Sequence, residues 1–551
     1  MIVDVLEADS PKTLSTLALV SPTFYDLARH AQHRQITLNL RVWDRDVQGE
    51  KQARARMEYL DKFGFLPDVR RLTISGAGAT PALMAELGRF IIKLSGLRDL
   101  AWQYQDAIPE PVLAFLQDRP TIRLHVVSIP GRVVHENGTV APVPLPSPPD
   151  PHARNADRSK AYVLEQLVNS RSLYSLDVRC EYVDAAQCFN TMLPLRRVLQ
   201  SCPNLRKLTL KVGLPKPGCF TFSPLKEYTG LGFTEAERPV VALEELEVAA
   251  YPFGRPAQEG ICFYGSPWPH WQPSSLCHSD GYPLAVREEV SWGSIFDWSR
   301  LRRLHTADSD LGLQLLPWLT ALREVDLGLG MARSADIEQQ DLRMFYDDIT
   351  SPLEAITVRR LVSIGLDNLL RHGPSLRRLK IHQIPTQKPV EWEQSVSAED
   401  LLAISEGCPH IEELAVDVCP EGEWPQHIYR ALASFRQLQH LEFFQDFEEE
   451  EEEENKEKLI ITGRLSFAAS RICHYLRDQA FPRKAPFKTL TVHYGHKPVM
   501  PGGLYDIRPY KDRSHVFQWT LSERQDEAEQ GVYHMTPDGM LCQETNPKFS
   551  S

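Results

Sequence analysis

The chain has 551 residues, 42% hydrophobic and 24% charged, with a formal net charge of −12. That composition can fill a large core, while the acidic balance argues against a general nucleic-acid binder, which needs a basic face to displace counterions. No apolar run approaches the ~18–20 residues that cross a bilayer. Ten cysteines lie scattered without CxxC pairs, as in proteins that keep reduced thiols. Met1-Ile2-Val3-Asp4 carries acid where a secretory signal needs base. A cytoplasmic and/or nuclear protein is therefore expected.

Residues 1–40 differ in kind from the rest. Ile2, Val3 and Leu6, then Leu14, Leu17, Val20, Phe24 and Leu27, recur mostly at three- and four-residue steps, as amphipathic helices require. Ser10-Pro11 and Ser21-Pro22 each supply a capping hydroxyl and a proline for a first turn. A strand, Ile36–Leu40, follows. The run Leu17-Ala18-Leu19-Val20-Ser21-Pro22-Thr23-Phe24-Tyr25-Asp26-Leu27-Ala28 resembles the second half of an F-box, usually written L-x-x-V-S-x-x-F-x-x-L-A. His33-Arg34-Gln35-Ile36 resembles that motif's exit into a first strand. The resemblance implies docking on the Skp adaptor of a cullin–RING ubiquitin ligase, with Leu14, Leu17, Val20, Phe24 and Leu27 at the motif's apolar positions. The usual opening, Leu-Pro-x-Glu-Ile, has no counterpart at Met1-Ile2-Val3-Asp4, so a shortened adaptor surface is expected. A second reading stays open: these helices cap the end of a repeat array, whose terminal units need covering.

Residues 41–66 read as a polar helix, with Met57, Leu60 and Phe63 among Arg54, Arg56, Glu58 and Lys62. Then a short phrase returns: apolar, two mostly polar residues, apolar, one mostly polar residue, apolar. Its clearest copies are Leu205-Arg206-Lys207-Leu208-Thr209-Leu210 and Leu376-Arg377-Arg378-Leu379-Lys380-Ile381. Twelve cores open at Val69, Leu97, Leu173, Leu205, Leu243, Leu301, Leu322, Leu353, Leu376, Ile411, Leu438 and Phe487. The final three residues alternate with period two, most poorly in the copy at Leu301, which ends on Thr306, and this marks a strand with one buried face. Such short strands cannot bury that face singly, but with helical returns they stack around a shared core. Before several copies stands a helix stop, as in Cys202-Pro203, Gly373-Pro374 and Gly407-Cys408-Pro409. The phrase resembles the strand of the leucine-rich repeat, without that family's Asn ladder. F-box followed by irregular repeats resembles fungal F-box proteins in particular. The expected fold is α/β: a leucine-rich-repeat-like solenoid over residues 41–521, a curved parallel sheet with helical returns, after a short all-α F-box-like segment.

Insertions are expected near 108–157, 251–298 and 446–458. The first holds Asn137-Gly138 between apolar runs, a hairpin signal, and six prolines from Pro142 to Pro151. The second holds Trp268, Trp271, Trp292 and Trp298, either a local core under a long loop or a substrate contact. Its Cys262, His270, Cys277 and His278 lack the paired spacing of structural zinc. The third carries seven glutamates, Glu448–Glu454, a solvated acidic run. Val516–Leu521 alternates as a terminal strand, and residues 522–551 read as a polar tail.

No phosphate loop, GxSxG, HExxH or paired-carboxylate motif occurs, and no cofactor, metal or catalytic residue is implied. The outward positions of the cores should form a concave protein-binding face. They include Lys207, Thr209, Glu245, Arg303, His305, Glu324, Arg378 and Lys380, with Arg71, Thr73, Glu247, Asp326, Glu413 and Ala415 alongside. Mixed signs along that row suit a protein substrate. The resemblance thus implies the substrate-recognition subunit of an SCF-type ligase, with no nucleic acid or membrane as partner. The alternative is a repeat scaffold for protein interaction that recruits no ligase.

Overall fold

The computed structural model describes residues 19–40, 48–104, 107–128, 132–134, 140–142, 159–181, 185–213, 231–234, 236, 238–249, 251, 291–306, 309–327, 335–382, 396–418, 426–445, 488–494, 515–520, 529–535 and 541–544. The chain divides into two compact units. The first comprises Met1–Pro215, Cys219–Gly260 and Trp268–Trp298; the second comprises Lys216–Gly218, Ile261–Pro267 and Ser299–Ser551.

The first unit begins with helix α1 (Pro22–Gln32), capped by Ser21, whose Oγ accepts from Phe24 N at 3.2 Å, with proline in its first turn. Strand β1 (Gln35–Asn39) and helix α2 (Gln48–Lys62) follow, then β2 (Arg71–Gly76), α3 (Pro81–Lys93), β3 (Asp99–Tyr104), α4 (Glu110–Asp118) and β4 (Arg123–Ser128). A two-stranded antiparallel pair, β5 (Arg132–Val134) and β6 (Val140–Pro142), flanks the expected Asn137-Gly138 turn, which itself lies outside the described residues. Next come α5 (Ser159–Leu167), β7 (Leu173–Glu181), α6 (Ala185–Ser201), β8 (Lys207–Gly213), β9 (Glu245–Ala249) and the short helix α7 (Trp292–Ile295). Strands β1, β2, β3, β4, β7, β8 and β9 pair in that order, all parallel.

The second unit repeats the scheme. Its strands are β10 (Arg303–Thr306), β11 (Glu324–Asp326), β12 (Ala355–Val358), β13 (Arg378–Ile381), β14 (Glu413–Asp417), β15 (His440–Gln445) and β16 (Thr489–Tyr494), parallel throughout. Between them run α8 (Ser309–Leu315), α9 (Ala335–Asp348), α10 (Leu361–Ile364), α11 (Leu366–Arg371), α12 (Ala398–Gly407) and α13 (Gln426–Ala433). Antiparallel strands β17 (His515–Thr520), β18 (Glu529–Met535) and β19 (Leu541–Glu544) extend the sheet past β16. The expected terminal strand is β17. The segment from Ser522, expected as a polar tail, instead supplies β18 and β19.

All twelve predicted cores lie on parallel strands. Leu208 and Leu379 are 1% and 2% exposed, while Thr209 and Lys380 between the apolar positions are half-buried on the other face. Two further parallel strands were not among the twelve. In β1 the buried His33 stands where the phrase has its first apolar residue. In β4 a single residue, Arg123, separates Ile122 from Leu124, and the register shifts against β7 at Leu124/His125. The first expected insertion therefore contains a full repeat, α4 with β4, before any irregular stretch.

Most strands are locked one residue before they start. The carbonyl of Arg206 accepts Glu244 N at 2.7 Å and Glu245 N at 3.0 Å, and that of Arg377 accepts Glu412 N and Glu413 N at 2.8 and 3.0 Å. The same doubled bond recurs at β2, β3, β11, β12, β13, β15 and β16, so those strand ends align, while β4 takes one bond, from Arg123 N to the Arg98 carbonyl. The helix-stop phrase has a steric reason as well. A Cβ on Gly373 would lie 2.0 Å from the Gly407 carbonyl oxygen, so successive helix ends can meet only because glycine is there. At the matching place Cys202 and Cys408 are buried free thiols, and burial pushes both upward in pKa, Cys408 to about 11.

Candidate interaction surfaces

Three surfaces carry the expected site residues. On the first, Ala28 and Ala31 of α1 are buried at 0% and 1% exposure, whereas Val20, Phe24 and Leu27 are 68%, 38% and 49% exposed. Leu19 is exposed beside them. The helix therefore packs through its small residues and turns its large apolar ones outward. Leu14 and Leu17 lie outside the described residues.

The second is the polar face of the first unit's sheet. Register pairs Lys207 with Glu245 and Thr209 with Glu247. The side chains meet there: Lys207 Nζ is 2.7 Å from Glu245 Oε1, and Thr209 Oγ1 donates to Glu247 Oε2 at 3.3 Å. Further along, Asp99 receives Arg123 at 2.7 Å and His125 at 3.1 Å. Burial raises the Asp99 pKa, but the bonds from Arg123 and His125 outweigh it and hold the carboxyl below its usual range. Tyr174 lies 5.3 Å from the Arg123 guanidinium and edge-on to His125. Burial raises the pKa of the Asp177 carboxyl against the charges of Arg179 and Lys211.

The third is the polar face of the second unit. Glu324 gathers three predicted residues: Arg303 at 3.0 Å, His305 at 3.4 Å and Arg378 at 2.8 Å. Arg378 reaches it across β12, where the side chain between is only Ala355. The hydrogen bond from His305, with the charges of Arg378 and Arg303, lowers the Glu324 pKa to about 2 against the opposing effect of burial. Lys380 Nζ stands 5.4 Å from the Phe444 ring.

One row on this face was not anticipated. His382, Asp417, Phe444 and His493 lie side by side at the strands' far ends. His382 stacks on Phe444 at 3.5 Å and Phe444 on His493 at 4.4 Å between ring centroids. His382 Nδ1 lies 2.7 Å from Asp417 Oδ1, and His493 Nε2 lies 2.6 Å from Glu442 Oε1. Continuing the period-two alternation one step past each core's last apolar residue reaches all four. Among the described residues, no group of three or more His, Cys, Asp or Glu could hold a metal ion.

Of the tryptophan-rich segment, Trp292 and Trp298 are buried at 1% exposure with Phe233, Phe296 and Tyr251 in a ring cluster, and Trp298 Nε1 donates to the Trp292 carbonyl at 2.9 Å. These two belong to a local core. Trp268, Trp271, Cys262, His270, Cys277, His278 and the seven-glutamate run lie outside the described residues.

No family model matches the chain, and no curated protein matches it. Among solved structures it is similar to the leucine-rich repeat-containing protein LegL7 from Legionella pneumophila. The likeness has a TM-score of 0.30 and 9% identity and covers 82% of this chain and 100% of that one. The repeat reading rests on the strand register and alternating burial. Among the described residues no helix is long and apolar enough to cross a membrane.

Proposed function

We propose that the chain is the substrate-recognition subunit of an SCF-type cullin–RING ubiquitin ligase. In this reading the N-terminal helices dock a Skp-type adaptor, and through it the cullin, while the polar sheet faces hold a protein substrate. The chain performs no chemistry itself and works in the cytoplasm or nucleus, where that machinery operates. One observation carries the reading: the F-box-like text turns Val20, Phe24 and Leu27 to solvent. A plug that only sealed a repeat array would bury its largest apolar side chains and leave the small ones outside. Here the order is reversed, as a docking helix requires.

The second reading, a repeat scaffold that recruits no ligase, draws on the polar faces alone. Paired charges of both signs, such as Lys207 with Glu245 and Glu324 with Arg378, suit a protein partner and need no adaptor. Pull-down of purified Skp adaptor by the full chain separates the two. The ligase reading expects retention of the adaptor, lost in Val20→Asp and Phe24→Asp variants whose circular dichroism is unchanged. A folded chain that retains no adaptor leaves the scaffold reading in its place.

A further inference from the structure

The main-chain ladder ahead of the strands sets one side chain per rung along the sheet edge, ~4.8 Å apart. In the first unit, three consecutive rungs, Arg34, Arg70 and Arg98, carry arginine, and Arg71 and Arg123 open strands β2 and β4 beside them. The carbonyl of Arg34 accepts Arg70 N and Arg71 N at 2.8 Å, that of Arg70 accepts Arg98 N at 2.8 Å, and that of Arg98 accepts Arg123 N at 2.7 Å. Arg70, Arg71, Arg98 and Arg123 are exposed. The acids nearby are already engaged: Asp68 by His30, Asp99 by Arg123 and His125, and Asp61 by Lys93. Arg70 donates to the Gly96 carbonyl at 3.0 Å. Among the described residues, the side chains of Arg71 and Arg98 make no ion pair.

The second unit is an internal control. Its rungs read Arg302, Arg323, Glu354, Arg377, Glu412, Gln439 and Lys488, and the signs cancel locally, Arg323 with Glu354 at 2.7 Å and Arg377 with Glu412 at 2.5 Å. The ladder position therefore does not require arginine. Nor does the helix dipole explain the stripe, although cations near helix C-termini are favoured. Helices end beside the rungs in both units and with both signs, α2, α3 and α4 in Lys62, Lys93 and Asp118 and α9 and α11 in Asp348 and Arg371, yet the run of arginines is confined to the first. A chain of net charge −12 has concentrated like charges on one edge, where they repel one another.

We propose that the edge formed by Arg34, Arg70, Arg71, Arg98 and Arg123 docks an acidic polypeptide segment of a partner protein. The rung interval is close to the ~5–6 Å between same-face residues of a helix, so successive Glu or Asp side chains can each meet a guanidinium. Nucleic acid fits less well, because the remainder of this acidic chain repels a long polyanion.

The test measures binding of a fluorescein-labelled glutamate-rich peptide to the full chain at several salt concentrations, with a single-stranded oligonucleotide of equal length and inorganic phosphate as comparisons. The expected result is peptide binding that weakens as salt rises. It should fall at least tenfold in the Arg71→Glu/Arg98→Glu double variant and stay within twofold in the Arg302→Glu/Lys488→Glu control. Should charge reversal disturb folding, Arg71→Gln/Arg98→Gln removes the charge without adding a repulsive one and should still weaken binding. Absence of peptide binding, tighter binding of the oligonucleotide or phosphate, or equal loss in the control pair would overturn the proposal.

Discussion

Glu324 shows how much a single outward position can carry. Its carboxylate faces Arg303, His305 and Arg378 from both neighbouring directions along the sheet. Its pKa in the folded chain, about 2, lies below the ordinary 4.5. A depressed carboxylate stabilises the fold above its unfolded pKa, and that contribution disappears as pH falls from 4.5 towards 2. After allowance for the solvent around its half-exposed partners, the contribution is about 2 kcal/mol. Urea denaturation of Glu324→Gln against the parent chain should show that difference near neutral pH and almost none near pH 2, provided both chains remain folded there. A gap that persists unchanged in acid would mean that the carboxylate's charge is not what stabilises this face.

The elements explain which parts of the fold could be read in advance. Twelve strands were legible because Leu, Ile and Val fall at fixed steps, although Ala101, Ala355 and Ala415 are buried on the other face as well. Strand β1 was visible as a strand but not as a repeat, since His33 fills an apolar slot and packs 4.1 Å from the Phe65 ring. Strand β4 was hidden because losing one residue breaks the written pattern while the backbone absorbs the loss as a register shift. The His382–Phe444–His493 stack escaped for another reason: its members sit one alternation step beyond the phrase, and their stacking depends on which strands become neighbours. Strands β18 and β19 carry no strong apolar alternation. The helix-stop glycines, by contrast, were read correctly as stops, although the carbonyl that excludes a side chain at Gly373 is that of Gly407, in the next repeat. Gly373→Ala should therefore cost at least about 2 kcal/mol, because backbone must move to admit the methyl group. Gly88→Ala should be neutral or stabilise by up to about 1 kcal/mol, since it lies inside α3 and the new methyl group would meet Val112 at an ordinary 3.8 Å. Thermal unfolding of the two variants checks the pair, and equal effects would contradict the close approach of the helix ends.

At the scale of the whole molecule, each unit uses one solution: seven parallel strands whose apolar side chains all turn to the same side. Parallel sheets are usually covered on both faces. Here the opposite face carries charged, imidazole and aromatic side chains. The exposed apolar side chains of α1, the mixed-sign polar faces and the arginine edge are then three chemically distinct surfaces on one repetitive frame. All three depend on the cores being consecutive rungs in register. The pair Glu324 and Arg378 tests this most directly, because the residues are 54 apart in sequence and meet only if β11, β12 and β13 are adjacent and aligned. A double-mutant cycle with Glu324→Gln and Arg378→Gln, read by urea denaturation near neutral pH, should give a coupling of about 1 kcal/mol. Additive effects within about 0.3 kcal/mol would contradict the register on which the fold and its surfaces rest.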